Sequence, residues 1–183
     1  MRQADASGRV RPGACVTDPL SFVVLGRPQP AGSKKAFAVR RGGELTGRVA
    51  VVDDAKHSRS WKHDVAVVAR QAVAGAPVLE GPLDLDVVFV VARPKGHYGT
   101  GRNLRQIRAS APALPTVKPD VTKLLRAVED ALTGVIYRDD AQIVKQHAEK
   151  HYGWPERAEV TIRPLTREQA RVLADWIVRK AAA

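Results

Sequence analysis

Apolar positions change their spacing from segment to segment along the chain, and the spacing predicts most of the elements. Residues 20–25 (LSFVVL) form a short β-rich run stopped by Gly26-Arg27-Pro28, which predicts a first strand. Residues 83–91 (LDLDVVFVV) alternate at first and then become continuously apolar, as a central strand does. Residues 157–163 (RAEVTIR) alternate throughout and predict another strand. Helical spacing governs residues 58–74, where Trp61, Val65, Val68, Ala69 and Ala72 recur on one face. Ser58 or Ser60 is the expected cap there, and Gly75 and Pro77 end the run. The clearest helix is 120–132, with Val121, Leu124, Leu125, Val128 and Leu132 on a single stripe. Pro119 precedes it, and Gly134 stands where a glycine C-cap belongs. Short strands are expected at 135–137 and 142–150, flanking the acidic turn Arg138-Asp139-Asp140. A last helix is expected over 166–180, opened by a Thr166/Gln169 capping box, with Ala170, Leu173, Trp176 and Ile177 as its apolar face.

The remaining segments lack this periodicity. Residues 1–19, rich in Gly, Arg, Asp and Ala, read as a disordered leader. Residues 29–54 read as a long loop or hairpin carrying Lys34, Lys35, Arg40, Arg41 and Arg48, with a strand at 48–52. The mixture predicts an α/β (α+β) fold, a small mixed sheet with helices packed on it. One main domain over 20–165 is followed by a C-terminal helix over 166–183.

Composition narrows the partner. The chain has 30 Lys and Arg against 19 Asp and Glu, a formal net charge of +11, and a pI near 10.3. Such an excess favours a polyanion, because each neutralised phosphate releases a condensed counterion. Nucleic acid leads and an anionic membrane surface is the rival, although no apolar run approaches the roughly 20 residues of a span. Cys15 is the single cysteine, so no internal disulfide forms, and a reducing cytoplasm is the expected location. Residues 93–118 contain Arg93, Lys95, Arg102, Arg105, Arg108 and Lys118 with no acidic residue, which predicts a mobile basic loop able to close on a phosphate backbone.

Candidate chemistry sits just after that loop. Asp120 opens the clearest helix, where backbone N–H groups favour a carboxylate, and Asp139 and Asp140 follow one helix later. If these oxygens converge, they suit Mg²⁺ that keeps several waters, with Lys123 or Arg126 offsetting phosphoryl charge. Local alternatives stand beside this. Asp120 as an N-cap, Asp139-Asp140 as a turn and Arg126 with Asp130 as a surface pair account for the same residues. If the helix and the following strand pack antiparallel, Asp120 and the acidic turn need not end up adjacent.

The stretch KPDVTKLLRAVEDALTGVIYRDDAQIV resembles the RusA family of Holliday junction resolvases, whose pattern runs K-P-D-x-D-[NK]-L-x-[KR], then D-A-L-x-G, then D-D-x-Q-[VI]. Weaker similarity includes Gly26 to Pro30, the Trp61 helix, the strand at 83–91, and Lys150, Tyr152 and Gly153, spanning about 22–165. The resemblance implies a homodimer that incises branched DNA with Mg²⁺, Mn²⁺ being a possible substitute. Its catalytic positions fall on Asp120, Asp140, Arg126 and Lys150, with Asp139 beside Asp140 as a further metal ligand. Lys118, Lys123, Arg102, Arg105 and Arg108 are the expected DNA contacts. The family's second aspartate falls on Thr122, a neutral hydroxyl, and its helix lysine on Arg126. The first departure weakens a hard-cation site, so a junction-binding relative with little catalysis is the competing expectation.

Overall fold

The computed structural model describes residues 18–32, 34–53 and 57–181. The expected leader, apart from its last two residues, lies outside the described residues, as do Cys15 and the side chain of Ile177. The described residues form an α+β fold of six strands and three α-helices: β1 Leu20–Leu25, β2 Lys34–Arg41, β3 Glu44–Asp53, α1 Ser58–Val73, β4 Leu83–Val91, α2 Val121–Leu132, β5 Ile143–Tyr152, β6 Arg157–Pro164 and α3 Arg167–Ala181. The main sheet has the order β1-β6-β4-β5, and β2 and β3 form a separate two-stranded sheet. β6 pairs antiparallel with β1 and with β4, while β4 and β5 run parallel. Parallel neighbours need a crossover, and the crossover here contains the basic loop and α2.

Alternation along β4 sorts its two faces. Leu83, Leu85, Val87 and Phe89 are fully buried and meet Val24, Val160 and Ile162 in one core. α1 supplies Trp61, Val65 and Ala69 to that core, and α2 supplies Leu124, Val128 and Leu132. An ion pair between Lys62 of α1 and Asp130 of α2, at 2.6 Å, joins the helices at their outer edge. Asp130 therefore pairs across to α1, not with Arg126 along its own helix. On the other face of the sheet Asp84, although buried, is held by Lys145 at 2.9 Å, and Arg163 bonds Asp86. This charged ladder spans three strands and fixes their register, since a one-residue slip would put carboxylates in the core.

Three local expectations are corrected. Residues 135–137 are a tight turn with single bridges from Tyr137 to Leu79 and to Thr133, because the first residues past α2 fold back on its last turn. Neither serine caps α1. His57 holds the N-cap position without a side-chain bond, Ser58 is buried, and the Ser60 hydroxyl donates to the His57 carbonyl. The basic loop is organised: Gly99 and Gln106 bond through their backbones, as do Arg108 and His97, and two short 3-10 turns lie at Lys95–His97 and Gly101–Asn103. A Cβ on Gly99 would lie 2.6 Å from the Asn103 carbonyl oxygen, so only glycine lets the loop close on itself.

The Thr166/Gln169 capping box forms as expected, with Gln169 Oε1 accepting from Thr166 N at 2.9 Å. Ala170, Leu173 and Trp176 of α3 do not enter the core, and Trp176 is 57% exposed. Truncating a side chain shared by both layers should be costly. Leu124→Ala is expected to lower stability by about 2–5 kcal/mol in urea unfolding, whereas Trp176→Ala is expected to change it by less than about 1 kcal/mol.

Candidate functional site

Lys150 sets up the N-terminal end of α2. Its ammonium donates to the carbonyl oxygens of Val117 and Pro119, both at 2.7 Å, holding the segment that delivers Asp120. The Lys118-Pro119 peptide is cis. From the other side, Ala31 N–H donates to the Lys123 carbonyl at 2.8 Å and docks the Pro-rich segment after β1 against the helix. The resulting groove is lined by Arg27, Pro28, Gln29, Pro30, Lys118, Pro119, Asp120 and Lys123. Three cations and one carboxylate face the same space. Asp120 occupies the N-cap position, yet its side chain makes no cap hydrogen bond and stands 3.8 Å from the Lys123 ammonium.

The other end of α2 is acidic. Asp139 spends its carboxylate on the turn, accepting from Ala141 N–H at 2.8 Å. Gln142 completes the capping box by accepting from Arg138 and Asp139 N–H, and its amide donates to the Leu79 and Gly81 carbonyls. The turn is thereby fastened to the body of the fold, and Asp140 is presented beside Glu129. These two carboxylates line a hollow with Ala141, Ile143, Val144, Lys145 and Gln146. Burial raises the pKa of Glu129, and the charges of Asp140 and Asp130 add to it, while Arg126 opposes them. Beneath lies Tyr137, its hydroxyl donating to the Glu129 carbonyl at 3.1 Å. Burial and the same carboxylates push its pKa far above neutrality, so it remains a protonated donor.

The expected site residues thus divide into two groups. Asp120, Lys118 and Lys123 come together in the groove; Asp140 lies beside Glu129 at the far end, and Arg126 lies exposed on the helix between. Glu129 is nine residues beyond Asp120, roughly 13 Å along the helix axis at about 1.5 Å per residue. The anticipated convergence of Asp120 with Asp139 and Asp140 does not occur within one chain. The physical reason is direction: β5 starts near the last turn of α2 and ends near its first, so its two ends serve different ends of the helix. Among the described residues no group of three or more His, Cys, Asp or Glu assembles to hold a metal. Two carboxylates do suit Mg²⁺, which commonly takes one or two and keeps water on its remaining positions.

Lys150 faces the backbone before Asp120 with two of its three N–H groups engaged. Arg102, Arg105 and Arg108 are exposed on the organised loop. That loop is braced by Arg93, which bonds the Pro112 and Ala113 carbonyls and lies 4.2 Å over the Tyr152 ring. Glu129 stands two turns beyond Thr122 on α2, and spacing along the sequence does not reveal that it shares a hollow with Asp140. Lys145 and Arg27 were missed. The period-2 pairing of Asp84 with Lys145 across parallel strands was the available signal for the first, and the Arg27-Pro28 stop after β1 for the second.

A family model described as Endodeoxyribonuclease RusA matches residues 28–163. A protein of Bacillus subtilis (strain 168), named "Uncharacterized protein YqaN", is 33% identical over 149 residues, covering 81% of this chain and 99% of the relative. No helix among the described residues is long and apolar enough to cross a membrane.

Two measurements probe this geometry. Lys150→Met removes both bonds to the segment before α2 and is expected to cost about 1–3 kcal/mol, with faster amide exchange at residues 120–124. For Glu129 the folded pKa is raised, so the native state retains its proton to higher pH and stability falls as pH climbs from the ordinary value of 4.5 through the folded one. Glu129→Gln is therefore expected to gain stability relative to wild type between about pH 4 and pH 7, read from urea midpoints at each pH.

Proposed function

Because the chain belongs to the RusA endodeoxyribonuclease family, we propose that it is a divalent-metal-dependent nuclease that resolves Holliday junctions or related branched DNA by paired phosphodiester hydrolysis. The observation that carries the reading is the family match over 28–163, laid on a helix with a basic groove at one end and a carboxylate pair at the other. Arg27, Lys118 and Lys123 in the groove, with Arg102, Arg105 and Arg108 on the loop, neutralise backbone phosphates. Such contacts position DNA without reading its sequence. Branch selectivity then comes from the geometry of two subunits.

Asp140 and Glu129 are the proposed oxygen donors for Mg²⁺ or Mn²⁺, and a cation there opposes the burial and the neighbouring carboxylate charges that raise the Glu129 pKa. When bound, the ion supplies charge neutralisation at the phosphoryl oxygens and lowers the pKa of water. Arg126, one turn before Glu129, grips phosphate with its guanidinium fork and is no proton shuttle. Asp139 holds the turn that presents Asp140, and Lys150 holds the strand of backbone that presents Asp120. In-line attack of water on phosphorus with departure of the 3′ oxygen leaves a 5′ phosphate and a 3′ hydroxyl. Asp120 joins the Asp140 site only if a second copy of the chain brings opposite ends of two α2 helices together, and the homodimer is part of the proposal.

A junction-binding relative with weak catalysis is the second reading. It is favoured by Thr122, exposed and neutral on α2 where a family carboxylate stands.

A labelled four-way junction and a matched linear duplex, incubated with Mg²⁺ or EDTA, separate the readings. Wild type is expected to cut the junction in Mg²⁺ alone. Asp140→Asn is expected to cut more slowly by over about 100-fold, more than loss of an outer-shell partner costs, while still binding in EDTA. Binding without nicking at any Mg²⁺ or Mn²⁺ concentration establishes the second reading. Mixing Asp120→Asn with Asp140→Asn subunits tests the shared site: activity recovered on mixing means that each protomer supplies one carboxylate, and none recovered means that no site is shared between the two copies.

A further inference from the structure

The β2–β3 hairpin has no role in the site described above. It forms its own two-stranded sheet, packs on little of the remaining fold, and starts directly after the Ala31 contact that closes the basic groove. Gly42 and Gly43 turn the chain with φ of 60° and 92°, the tight hairpin geometry that glycine adopts without strain. A register shift between Ala38 and Arg40 bends the ribbon. An isolated hairpin is marginal in water, yet this one leaves Phe37, Leu45 and Val49 each more than half exposed. Its sequence carries five Lys or Arg against Glu44 and Asp53, and Arg40, Arg41 and Arg48 are exposed. Such a ribbon, apolar and cationic at once and packed on little else among the described residues, fits a polyanion that also offers apolar surface.

We propose that the β2–β3 hairpin is a DNA-binding arm that lies in the groove of a duplex limb beside the branch point, with Arg40, Arg41 and Arg48 on phosphates and Phe37 against sugar or base surface. The inference rests on the nuclease reading for the identity of the polyanion. The major groove of B-form DNA admits a two-stranded ribbon, and apolar side chains commonly press against or between bases where DNA is bent or unstacked. The arm follows closely in sequence on the Arg27–Pro30 segment that lines the basic groove, so its cations add phosphate contacts to those held at α2.

The experiment measures junction affinity of the full-length chain by fluorescence anisotropy in EDTA across a salt series, with cleavage assayed separately in Mg²⁺. The Arg40→Ala/Arg41→Ala/Arg48→Ala variant is expected to bind on the order of 100-fold more weakly near physiological salt, and its salt slope to shrink by about 2.7. The matching triple Lys variant is expected to restore most of that slope, which separates lost charge from lost folding. Phe37→Ala is expected to reduce preference for the junction over linear duplex without changing the slope. Unchanged affinity and slope in the triple Ala variant overturn the proposal. So does an altered sedimentation coefficient with unchanged DNA binding, which makes the hairpin a contact between copies of the chain. Salt-dependent loss of binding in a protein that never cuts DNA keeps the arm and discards the nuclease.

Discussion

The parallel pairing of β4 with β5 is the constraint on which the rest of the molecule depends. Two strands running the same way cannot be joined by a turn, so the chain leaves the end of β4, builds the basic loop, crosses the core as α2 and re-enters at the start of β5. That path makes α2 and β5 run in opposite directions. The start of β5, with Asp140 before it, meets the last turns of α2; the end of β5, with Lys150, meets the segment before its first turn. One crossover thus creates two chemically different ends on one helix.

Electrostatics follows that division. The chain is strongly cationic, and several of its carboxylates are neutralised close at hand: Asp84 and Asp86 by Lys145 and Arg163, Asp130 by Lys62, and Asp139 by the N–H groups of its own turn. Glu129 and Asp140 line one hollow instead. Partial burial raises the cost of ionising Glu129, the charges of Asp140 and Asp130 add to it, and Arg126 offsets part of it. A local negative pair within a positive field attracts a cation and tolerates a phosphate chain nearby, which a uniformly basic surface does not do.

Stiffness is distributed in the same way. Asp139 and Gln142 fasten the acidic turn, Lys150 fastens the approach to α2, and Arg93 with Tyr152 braces the loop that follows β4. The side chains expected to meet DNA are long cations on exposed ribs of this frame. The β2–β3 hairpin and α3 pack little against the core and expose Phe37, Leu45, Val49, Val172 and Trp176.

Most elements were legible in the sequence, since burial against one core imposes a period of two on strands and near four on helices. The stripe of α2, the alternation of β4 and β6 and the Thr166 capping box all follow from neighbours close along the chain. The family was legible too, because its motif is contiguous. Residues 135–137 misled, their apolar character coming from packing beneath the last turn of α2 and not from a ladder. Which carboxylates meet was decided only by the tertiary structure. Asp120 and Asp140 look adjacent within a motif, but strand direction separates them, and the same direction gives Asp140 to Glu129 and turns Lys150 toward backbone carbonyls. Spacing fixes which face of an element a side chain takes; the path of the crossover fixes which end of its neighbour that face will meet.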